Sequence, residues 1–583
     1  MQRQTEAGLV DSVPNEQREL DFATETWDRK VKSISRLLCC IARYTSLSIA
    51  TVPMGIPHPL IFSLMCYAAA VLVIFAGEPL AMPKKARPAH IPCRKAWRNI
   101  FARLPVIALI FAFFFAISWR PLYALGGTVS FFVIFTAISR AKFEFIREPL
   151  IFSDIALVVD VFRHKEMFYA TSLNMLFWVL AFAYVFGASA LFMYFEPSFL
   201  PSRHGLAWIV AMVAGAASPW LALFLPEFRR WAANLAAGVL GGRDVATNTV
   251  RFGAFTSLLY HFLIWLGASR NGPTAQLVEK RRELAARLTS GHEGRKPPVV
   301  IIWQCESFID MRRFGVDGLS LPALDQMRER AVQWGRLGCV FEGGYTLRTE
   351  FSLIAGMKPC ELGVDASYPY LRAQPYAKAA WPALLRAQGW STHFIHPYQR
   401  DFFSRHKAMP ELGFERMMML DAFDHDPARD GPYVSDSRVG AEVVELCRRE
   451  DGSSGTFIFA ATMENHGPWK PGRCGELSDP MAIYLKLLER TDAAIGELVE
   501  AVDKLDRPVW LVFYGDHAPL LKSFADPFPD PRTDYCIVPL AKAARGRKTP
   551  PRDRDPWHLI SDLASIHLPR EPLSSEKAGR VAS

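Results

Sequence analysis

The sequence has no pair of cysteines in CxxC spacing. Its 583 residues include ten cysteines, and their spacing excludes a zinc ribbon. No basic stretch is interleaved with aromatic residues, so the net charge of +9 does not indicate a nucleic-acid partner. Residues 1–34 are polar and charged and show no cleavable signal peptide. We therefore expect an uncleaved apolar helix to begin membrane insertion.

Long apolar runs occupy the first half of the chain. Each is close to the roughly 20 residues that cross the hydrocarbon of a bilayer, and they lie at 59–79, 104–119, 121–139, 172–194 and 206–225. Segments 35–56 and 250–268 are interrupted by Arg43 and His261, and either could cross the membrane or lie along its surface. We predict a polar N-terminal segment over 1–34 and a multi-pass α-helical membrane domain of about five to seven helices over 35–268.

Charge suggests how the chain is oriented in the membrane. The connection 83–103 contains seven basic residues and no acidic one, so the positive-inside rule predicts that it is cytoplasmic. The chemistry of the second half favours a position outside the cytoplasmic membrane from about residue 270. When the spans are counted from the basic loop, the loop can be cytoplasmic and residue 270 outside only in two cases. Either segment 250–268 also crosses the membrane, or one of the other apolar runs does not.

The second half has the pattern of a soluble α/β domain. After a polar linker over 269–298, apolar strands are predicted at 299–303, 392–395, 456–460 and 509–513, and helices at 380–388 and 480–505. Continuous apolar strands between helices predict a mainly parallel central sheet covered on both faces. We predict a catalytic domain over 299–545 and a polar C-terminal tail over 546–583.

Candidate metal ligands follow two of these strands. Glu306 comes directly after the first strand, and Asp516 and His517 follow the last one. Active sites of such folds lie at the carboxyl ends of parallel strands. Two carboxylates and an imidazole can bind one divalent cation.

A candidate nucleophile lies between these ligands in the sequence. Gly343 and Gly344 precede Thr346 at the predicted start of a helix. Glycines allow the backbone to approach a phosphate, and a helix N-terminus favours an anion. Direct ligation to the cation would lower the pKa of the Thr346 hydroxyl and make it a nucleophile. Thr349 fits the structural role of a helix N-cap.

Two further strand ends supply candidate phosphate ligands. His396 and Arg405 follow the strand at 392–395, and His466 follows the strand at 456–460. Cationic side chains bind phosphate oxygens, and an arginine can bind two of them at once. His466 could also protonate a leaving alkoxide.

Taken in this order, the motifs resemble the sulfatase-like fold of the alkaline phosphatase superfamily, and specifically the lipoteichoic acid synthase and phosphoglycerol transferase family. Segment 147–154 between the membrane spans is also similar to that family. The resemblance implies that Glu306, Thr346, Asp516 and His517 hold the metal, with Thr346 as nucleophile. It also implies that His396, Arg405 and His466 hold glycerol phosphate, beside Phe403 where synthases of the family carry a tryptophan.

The resemblance further implies the reaction and its partners. Thr346 would attack phosphatidylglycerol, release diacylglycerol and pass the glycerol phosphate to a hydroxyl of an envelope glycan or polymer. One divalent cation is expected, Mn²⁺ first, with Mg²⁺ or Zn²⁺ as alternatives. The enzyme would lie in the cytoplasmic (inner) membrane, in contact with membrane lipids, with its catalytic domain on the extracytoplasmic, periplasmic side.

Three alternatives differ in chemistry. A phosphoethanolamine transferase would share the fold, the metal and the threonine. A true sulfatase requires a C/S-x-P-x-R motif, and in the nearest match, which begins at Ser367, Arg372 stands one position too late. A transporter or scaffold without activity is disfavoured by the complete Glu/Thr/Asp/His set and by the few charged residues within the spans.

Overall fold

A computed structural model gives the fold of the protein. It describes residues 59–88, 96–156, 175–242, 244–268, 272–289, 296–338, 344–450, 452–543 and 550–566. The ambiguous segment 35–56 and the polar segment 1–34 lie outside these described residues. The described residues from Tyr67 onward belong to one compact unit.

The first half is helical, as its apolar runs predict. Its helices are α1 Pro59–Gly77, α2 Ala96–Ser118, α3 Pro121–Ile146, α4 Met175–Phe195, α5 Gly205–Ala222, α6 Pro226–Leu240, α7 Val245–Phe252 and α8 Ala254–Gly267. Four helical segments in the described part of the chain are long and apolar enough to cross a membrane: Pro59–Ala81, Trp97–Ser118, Pro121–Glu144 and Gly205–Ala222. The protein is therefore a multi-pass membrane protein.

Segment 250–268 does not form one long helix. It breaks at Gly253, whose φ of 84° suits glycine. The following helix α8 has 14 residues and rises about 21 Å at 1.5 Å per residue, which is short of the roughly 30 Å of hydrocarbon. Its first turns are buried, with Phe255 packed on Phe131 and Phe135 of α3. Helix α8 alone is thus too short to cross the membrane.

The packing of the helices also indicates where the basic loop 83–103 lies relative to the second half of the chain. Helices α2 and α3 pack against each other and are joined by a turn at Trp119 and Arg120, so two crossings separate the loop from residue 147. Near the start of α2, the Ala102 carbonyl accepts a hydrogen bond from Tyr260 of α8 at 2.5 Å. The guanidinium of Arg372, in the second half of the chain, lies 4.0 Å from the ring centre of Trp265, which also belongs to α8. The described residues of the loop and the second half of the chain therefore lie at the same end of the α2–α3 pair.

Where α2 and α3 each cross the membrane, loop 83–103 and the catalytic domain lie on the same side of it, and their two predicted positions do not hold together. Two of the seven basic residues of this loop are engaged in packing contacts. Arg98 donates to the Gly238 carbonyl at 2.8 Å, and Arg103 pairs with Glu78 and lies 3.6 Å from the ring centre of Phe75. Charges used in packing contacts carry less weight in a sequence-based count of topology.

The second half alternates helices and strands. Its helices are α9 Ala275–Thr289, α10 Pro322–Arg330, α11 Thr346–Ala355, α12 Pro359–Leu362, α13 Trp381–Arg386, α14 Arg405–Glu411, α15 Pro427–Asp430, α16 Asp436–Arg449, α17 Pro480–Asp503 and α18 Leu559–Ile566. Its strands are β1 Val299–Cys305, β2 Gln333–Leu337, β3 Ser391–Ile395, β4 Arg416–Met418, β5 Thr456–Ala461, β6 Pro508–Gly515 and β7 Thr533–Ala541.

The strands form one sheet in the order β2-β7-β6-β1-β5-β3-β4. Strands β6, β1, β5, β3 and β4 are mutually parallel, whereas β7 is antiparallel to both β6 and β2. All four predicted strands are confirmed and lie side by side in the centre of the sheet. The three strands without a prediction, β2, β4 and β7, lie toward its two edges. The predicted mainly parallel sheet is confirmed.

Both faces of the sheet are covered. Val300 and Ile302 of β1 pack into one core cluster, and Val299, Ile301 and Trp303 pack into the other. Alternate residues of a strand point to opposite faces, so a strand buried on both sides is apolar throughout. This arrangement fixes the strand ends that carry the site.

Helices on both sides of the predicted catalytic domain pack against it. In the predicted linker, Arg281 of α9 donates to the carbonyls of Ala355, Gly356 and Ala379. Beyond the predicted end at residue 545, Leu559 and Leu563 of α18 are fully buried in the same core cluster. The polar composition of both segments conceals one apolar face on each helix.

Candidate active site

The parallel strands bring the predicted residues to one edge of the sheet. Strand β1 leads to Glu306, β6 to Asp516 and His517, β3 to His396, and β5 to His466 a few residues later. Since β1 pairs with both β5 and β6 in parallel register, their carboxyl ends are adjacent. The structure thus brings these residues together at one edge of the sheet, as the sequence predicts.

The first three of these residues form a compact ligand set. One ligand atom from each of Glu306, Asp516 and His517 lies within 4.8 Å of the others, and all three residues are buried. His517 Nε2 is 3.4 Å from Glu306 Oε1 and 3.5 Å from Asp516 Oδ2. His517 Nδ1 lies 2.9 Å from the Ala518 carbonyl. Donation from Nδ1 to that carbonyl leaves Nε2 as the ligand atom.

Ser307 holds both carboxylates in place. Its backbone N–H donates to Asp516 Oδ1 at 2.8 Å, and its hydroxyl donates to Glu306 Oε1 at 2.8 Å. Its φ of 50° is uncommon for a residue with a side chain, and residues strained in this way cluster at functional sites. Tyr484 and Asn465 donate to its carbonyl at 2.8 and 3.3 Å. Sequence reasoning missed this residue.

The donor set fits a divalent cation. Burial and the neighbouring Glu306 charge raise the pKa of Asp516. Burial lowers the pKa of His517, but the two carboxylates outweigh this effect and raise the pKa to about 10. Asp516 Oδ2 is buried without a hydrogen-bond partner among the described residues, and a buried carboxylate oxygen needs one. A cation between these groups would satisfy that oxygen and neutralise the excess negative charge.

Thr346 begins helix α11 beside this set. The helix starts at Thr346 with Tyr345 as its N-cap residue, at φ 58° and ψ 45°. The Thr346 hydroxyl lies close enough to Asp516 to lower the pKa of that carboxyl. Thr349, interpreted from the sequence as an N-cap, is instead the fourth residue of the helix and is buried. That interpretation was wrong because the helix begins one turn earlier.

Most of the predicted site residues line a cavity of about 110 Å³. Thr346 contributes to its wall together with Glu306, His396, Phe403, Arg405, His466 and His517, whereas Asp516 is fully buried. Ile146, at the end of membrane helix α3, also lines it. We call residues 67–268 the membrane half and residues 272–566 the catalytic half. The site therefore lies where the two halves meet.

Arg405 is held by a buried carboxylate. Its side chain is 1% exposed and Glu350 is fully buried; Nε and Nη2 donate to the two Glu350 oxygens at 3.0 and 3.1 Å. The ion pair leaves the remaining N–H groups of the guanidinium for a ligand. Tyr370 and Gln304 also donate to Glu350.

Glu350 was missed by sequence reasoning. It stands four residues after Thr346 in helix α11, and residues at this spacing share one face of a helix. That spacing was the available signal.

His396 supports Arg405 rather than acting as a second cation. Its Nδ1 lies 3.2 Å from the Ala461 carbonyl, and its Nε2 lies 3.1 Å from Arg405 Nη1. Burial and the Arg405 charge lower the pKa of His396 well below its usual value. The ring is thus neutral, donates to Ala461 through Nδ1 and accepts from Arg405 through Nε2. This differs from the cationic donor expected from the sequence.

His466 is neutral with one nitrogen available. Its Nδ1 lies 2.6 Å from the Gly467 carbonyl, which leaves Nε2 for the cavity that His466 lines. Burial lowers the pKa of His466, although Glu306 opposes this effect. In this state Nε2 can accept a proton from a hydroxyl in the cavity.

Aromatic rings form the remaining wall. Phe403 has a φ of 55°, and its ring centre lies 4.1 Å from that of Phe402. The Arg405 guanidinium lies 5.2 Å from the Phe403 ring centre. Trp469, which the sequence did not single out, also lines the cavity.

Comparison with known proteins identifies both the domain and the family. Residues 298–554 match the Sulfatase family model. Most of the chain is similar to the capsular polysaccharide biosynthesis protein RkpI of Rhizobium meliloti, with 56% identity over 536 residues that cover 89% of this chain and 98% of the relative. This chain belongs to the RkpI family.

Two solved structures are similar to parts of this chain. The phosphoglycerol transferase GacH of Streptococcus pyogenes, solved with sn-glycerol-1-phosphate, is 21% identical with a TM-score of 0.40, covering 52% of this chain and 83% of that one. The lipooligosaccharide phosphoethanolamine transferase A of Neisseria meningitidis is 11% identical with a TM-score of 0.46, covering 87% and 95%. The predicted fold class is confirmed as membrane helices followed by a sulfatase domain.

Proposed function

We propose that this protein transfers glycerol phosphate from phosphatidylglycerol to a hydroxyl of a cell-envelope polysaccharide, through a covalent intermediate on Thr346. The observation that carries the proposal is the position of Thr346, at a helix N-terminus, beside the Glu306–Asp516–His517 ligand set and in a cavity shared with Arg405 and His466. The name of the relative RkpI supports a polysaccharide acceptor.

In the first step, the Thr346 hydroxyl gives its proton to His466 Nε2 as Oγ forms a bond to phosphorus, and the bond to the diacylglycerol oxygen breaks. Protonated His466 gives its Nε2 proton to that leaving oxygen. An anionic phosphate in the cavity favours the protonated ring. Diacylglycerol leaves, and glycerophosphate remains esterified to Thr346.

In the second step, the acceptor hydroxyl gives its proton to His466 and forms the new bond to phosphorus, and Thr346 Oγ leaves with the proton that His466 returns to it. The protons balance because His466 takes up one proton and gives up one proton in each step. Arg405 binds the non-bridging phosphate oxygens in both steps, with Glu350 and His396 fixing its orientation.

Glu306, Thr346, Asp516 and His517 would hold one divalent cation, for which Mn²⁺ is the first expectation. When bound, it would lower the pKa of the Thr346 hydroxyl and neutralise charge on the phosphoryl group. Oxygen ligands with a single imidazole suit Mn²⁺ or Mg²⁺, and Zn²⁺ can compete.

The cavity favours glycerol over ethanolamine as the head group. Among the described residues that line it, Glu306 is the only carboxylate, and it belongs to the ligand set. Among these described lining residues, a second anionic side chain that could pair with the ammonium of phosphatidylethanolamine is not present. Neutral glycerol hydroxyls can rest against the Phe403 wall without an ionic partner.

We place the catalytic domain on the outer, periplasmic side of the cytoplasmic membrane. The phospholipid donor and the polysaccharide acceptor would meet there. Because Ile146 of the membrane half lines the cavity, a donor could reach Thr346 while its acyl chains stay in the bilayer.

The test is diacylglycerol release by the full-length protein in detergent with Mn²⁺. We expect release from phosphatidylglycerol but not from phosphatidylethanolamine, and none from a Thr346→Ala variant. With purified capsular polysaccharide present, mass spectrometry should find glycerophosphate on the polymer. Release from phosphatidylethanolamine alone would make the protein a phosphoethanolamine transferase, and equal release by wild type and Thr346→Ala would refute the mechanism.

A further inference from the structure

The membrane half contacts the nucleophile helix on both sides of Thr346. Tyr345, the residue before Thr346, donates from its hydroxyl to Asp154 Oδ1 at 2.9 Å. Arg348, two residues after Thr346, donates to both oxygens of Glu148 at 3.0 and 3.2 Å. Glu148 and Asp154 both lie in the segment that follows membrane helix α3.

These contacts belong to one closed network. Lys142 of α3 donates to Glu148 at 3.1 Å and to Asp154 at 2.7 Å, so it joins the two acids that hold the helix. The side chains of Lys142, Arg348, Asp154 and Glu148 are only 9%, 6%, 12% and 14% exposed. Two positive and two negative charges balance, which a buried cluster requires.

The network bears on the geometry of Thr346 through the backbone. Tyr345 is held at φ 58°, a conformation that costs free energy in a residue with a side chain and persists when its surroundings enforce it. The Asp154 bond and the Arg348 guanidinium, 4.3 Å from the ring centre of Tyr345, both restrain that ring. A change in Tyr345 would move the peptide that carries Thr346.

Helix α11 is thus anchored at three positions. Tyr345 and Arg348 are anchored by the membrane half, and Glu350 is anchored by Arg405 in the site. The nucleophile lies between the first two anchors.

We propose that Glu148 and Asp154 of the membrane half, joined by Lys142, are positioning residues that set Thr346 for attack. The inference rests on the proposed function of Thr346. It implies that the membrane half takes part in catalysis as well as anchoring the enzyme. A misplacement of about 1 Å can cost on the order of 10² in rate.

The test compares variants of the full-length protein on two substrates, phosphatidylglycerol and the soluble diester bis(p-nitrophenyl) phosphate. For Glu148→Gln we expect kcat to fall on the order of 10²-fold on both substrates, with KM changed less than about twofold. Tyr345→Phe, which removes only the hydroxyl that bonds to Asp154, should lower kcat by roughly tenfold on both.

Asp526→Asn provides the matched control. Asp526 pairs with Arg147 across the same interface but with 40% of its side chain exposed, and the described contacts of this pair do not involve α11. We expect full activity on both substrates. Hydrogen exchange of the peptide 345–351 should be faster in Glu148→Gln and unchanged in Asp526→Asn, which reports on helix order without using activity.

Loss of activity on phosphatidylglycerol alone would overturn the proposal, because it would assign the network to lipid delivery. Wild-type kcat and exchange in Glu148→Gln would also overturn it. If Glu148→Gln does not fold, the Tyr345→Phe result decides. A failure of the proposed function is distinguishable, because Thr346→Ala would then cleave the soluble diester as fast as wild type.

Discussion

Replacing Glu350 by glutamine tests the buried pair that holds Arg405. The Glu350 oxygens accept hydrogen bonds from four groups: Arg405 Nε, Arg405 Nη2, Gln304 Nε2 and the Tyr370 hydroxyl. A glutamine side chain has only one oxygen, so its NH₂ group must face at least one of these donors. The variant therefore loses the ion pair and places two donors against each other.

The magnitude follows from burial. Arg405 is 1% exposed and Glu350 is fully buried, and removing one partner of such a pair costs about 3–5 kcal/mol of stability. We expect Glu350→Gln to lower the free energy of unfolding by about 3 kcal/mol. We expect it to raise KM for the phospholipid as well, because Arg405 is no longer fixed.

Guanidinium titration of the full-length protein in detergent, followed by tryptophan fluorescence, measures the first effect. A double-mutant cycle with Arg405→Gln should show a coupling free energy above about 2 kcal/mol. Glu361→Gln is the matched control, since Glu361 is an acid at the start of the short helix α12 and lines no part of the site. A loss below about 1 kcal/mol together with normal KM would refute the reasoning.

Further outcomes test the cation, the nucleophile and the topology. Elemental analysis should find one divalent ion per chain, a chelator should abolish diacylglycerol release, and Asp516→Asn should bind the ion more weakly; two ions per chain would contradict the site. Thr346→Ala should lower the rate by at least about 10³-fold, whereas Thr349→Ser, which removes one buried methyl group, should keep the rate and cost about 1 kcal/mol of stability. A reporter active only outside the cytoplasm should give the same result when fused after residue 86 and after residue 272, and the opposite result after residue 201; different results at 86 and 272 would contradict the helix pairing.

The core of the fold and most of the site could be predicted because the same strands carry both. Central parallel strands are buried on two faces, so Val299–Cys305 and Pro508–Gly515 are almost entirely apolar. The first polar residues after them, Glu306 and Asp516, are therefore conspicuous in the sequence. An edge strand such as Gln333–Leu337 alternates buried and partly exposed residues and lacks this signal.

The residues that support the site could not be predicted in the same way. Arg405 on its own fits a phosphate ligand, and only the structure reveals that Glu350 and His396 already hold it. Similarly, Ser307 is an ordinary residue in the sequence, and its role depends on a left-handed backbone that brings its N–H and hydroxyl to two different carboxylates. Such roles depend on contacts between residues distant in sequence.

The basic loop shows why charge counting and the helix pairing disagree about the orientation of the two halves. The rule weighs lysines and arginines that remain hydrated beside the membrane. Arg98 and Arg103 instead form contacts with the Gly238 carbonyl and with Glu78, so they help to build the surface of the membrane half on the catalytic side. Lys142 has the same kind of role, since it is buried between Glu148 and Asp154. Lys142 thus serves the junction between the two halves, and we infer that the position of Thr346 depends on that junction.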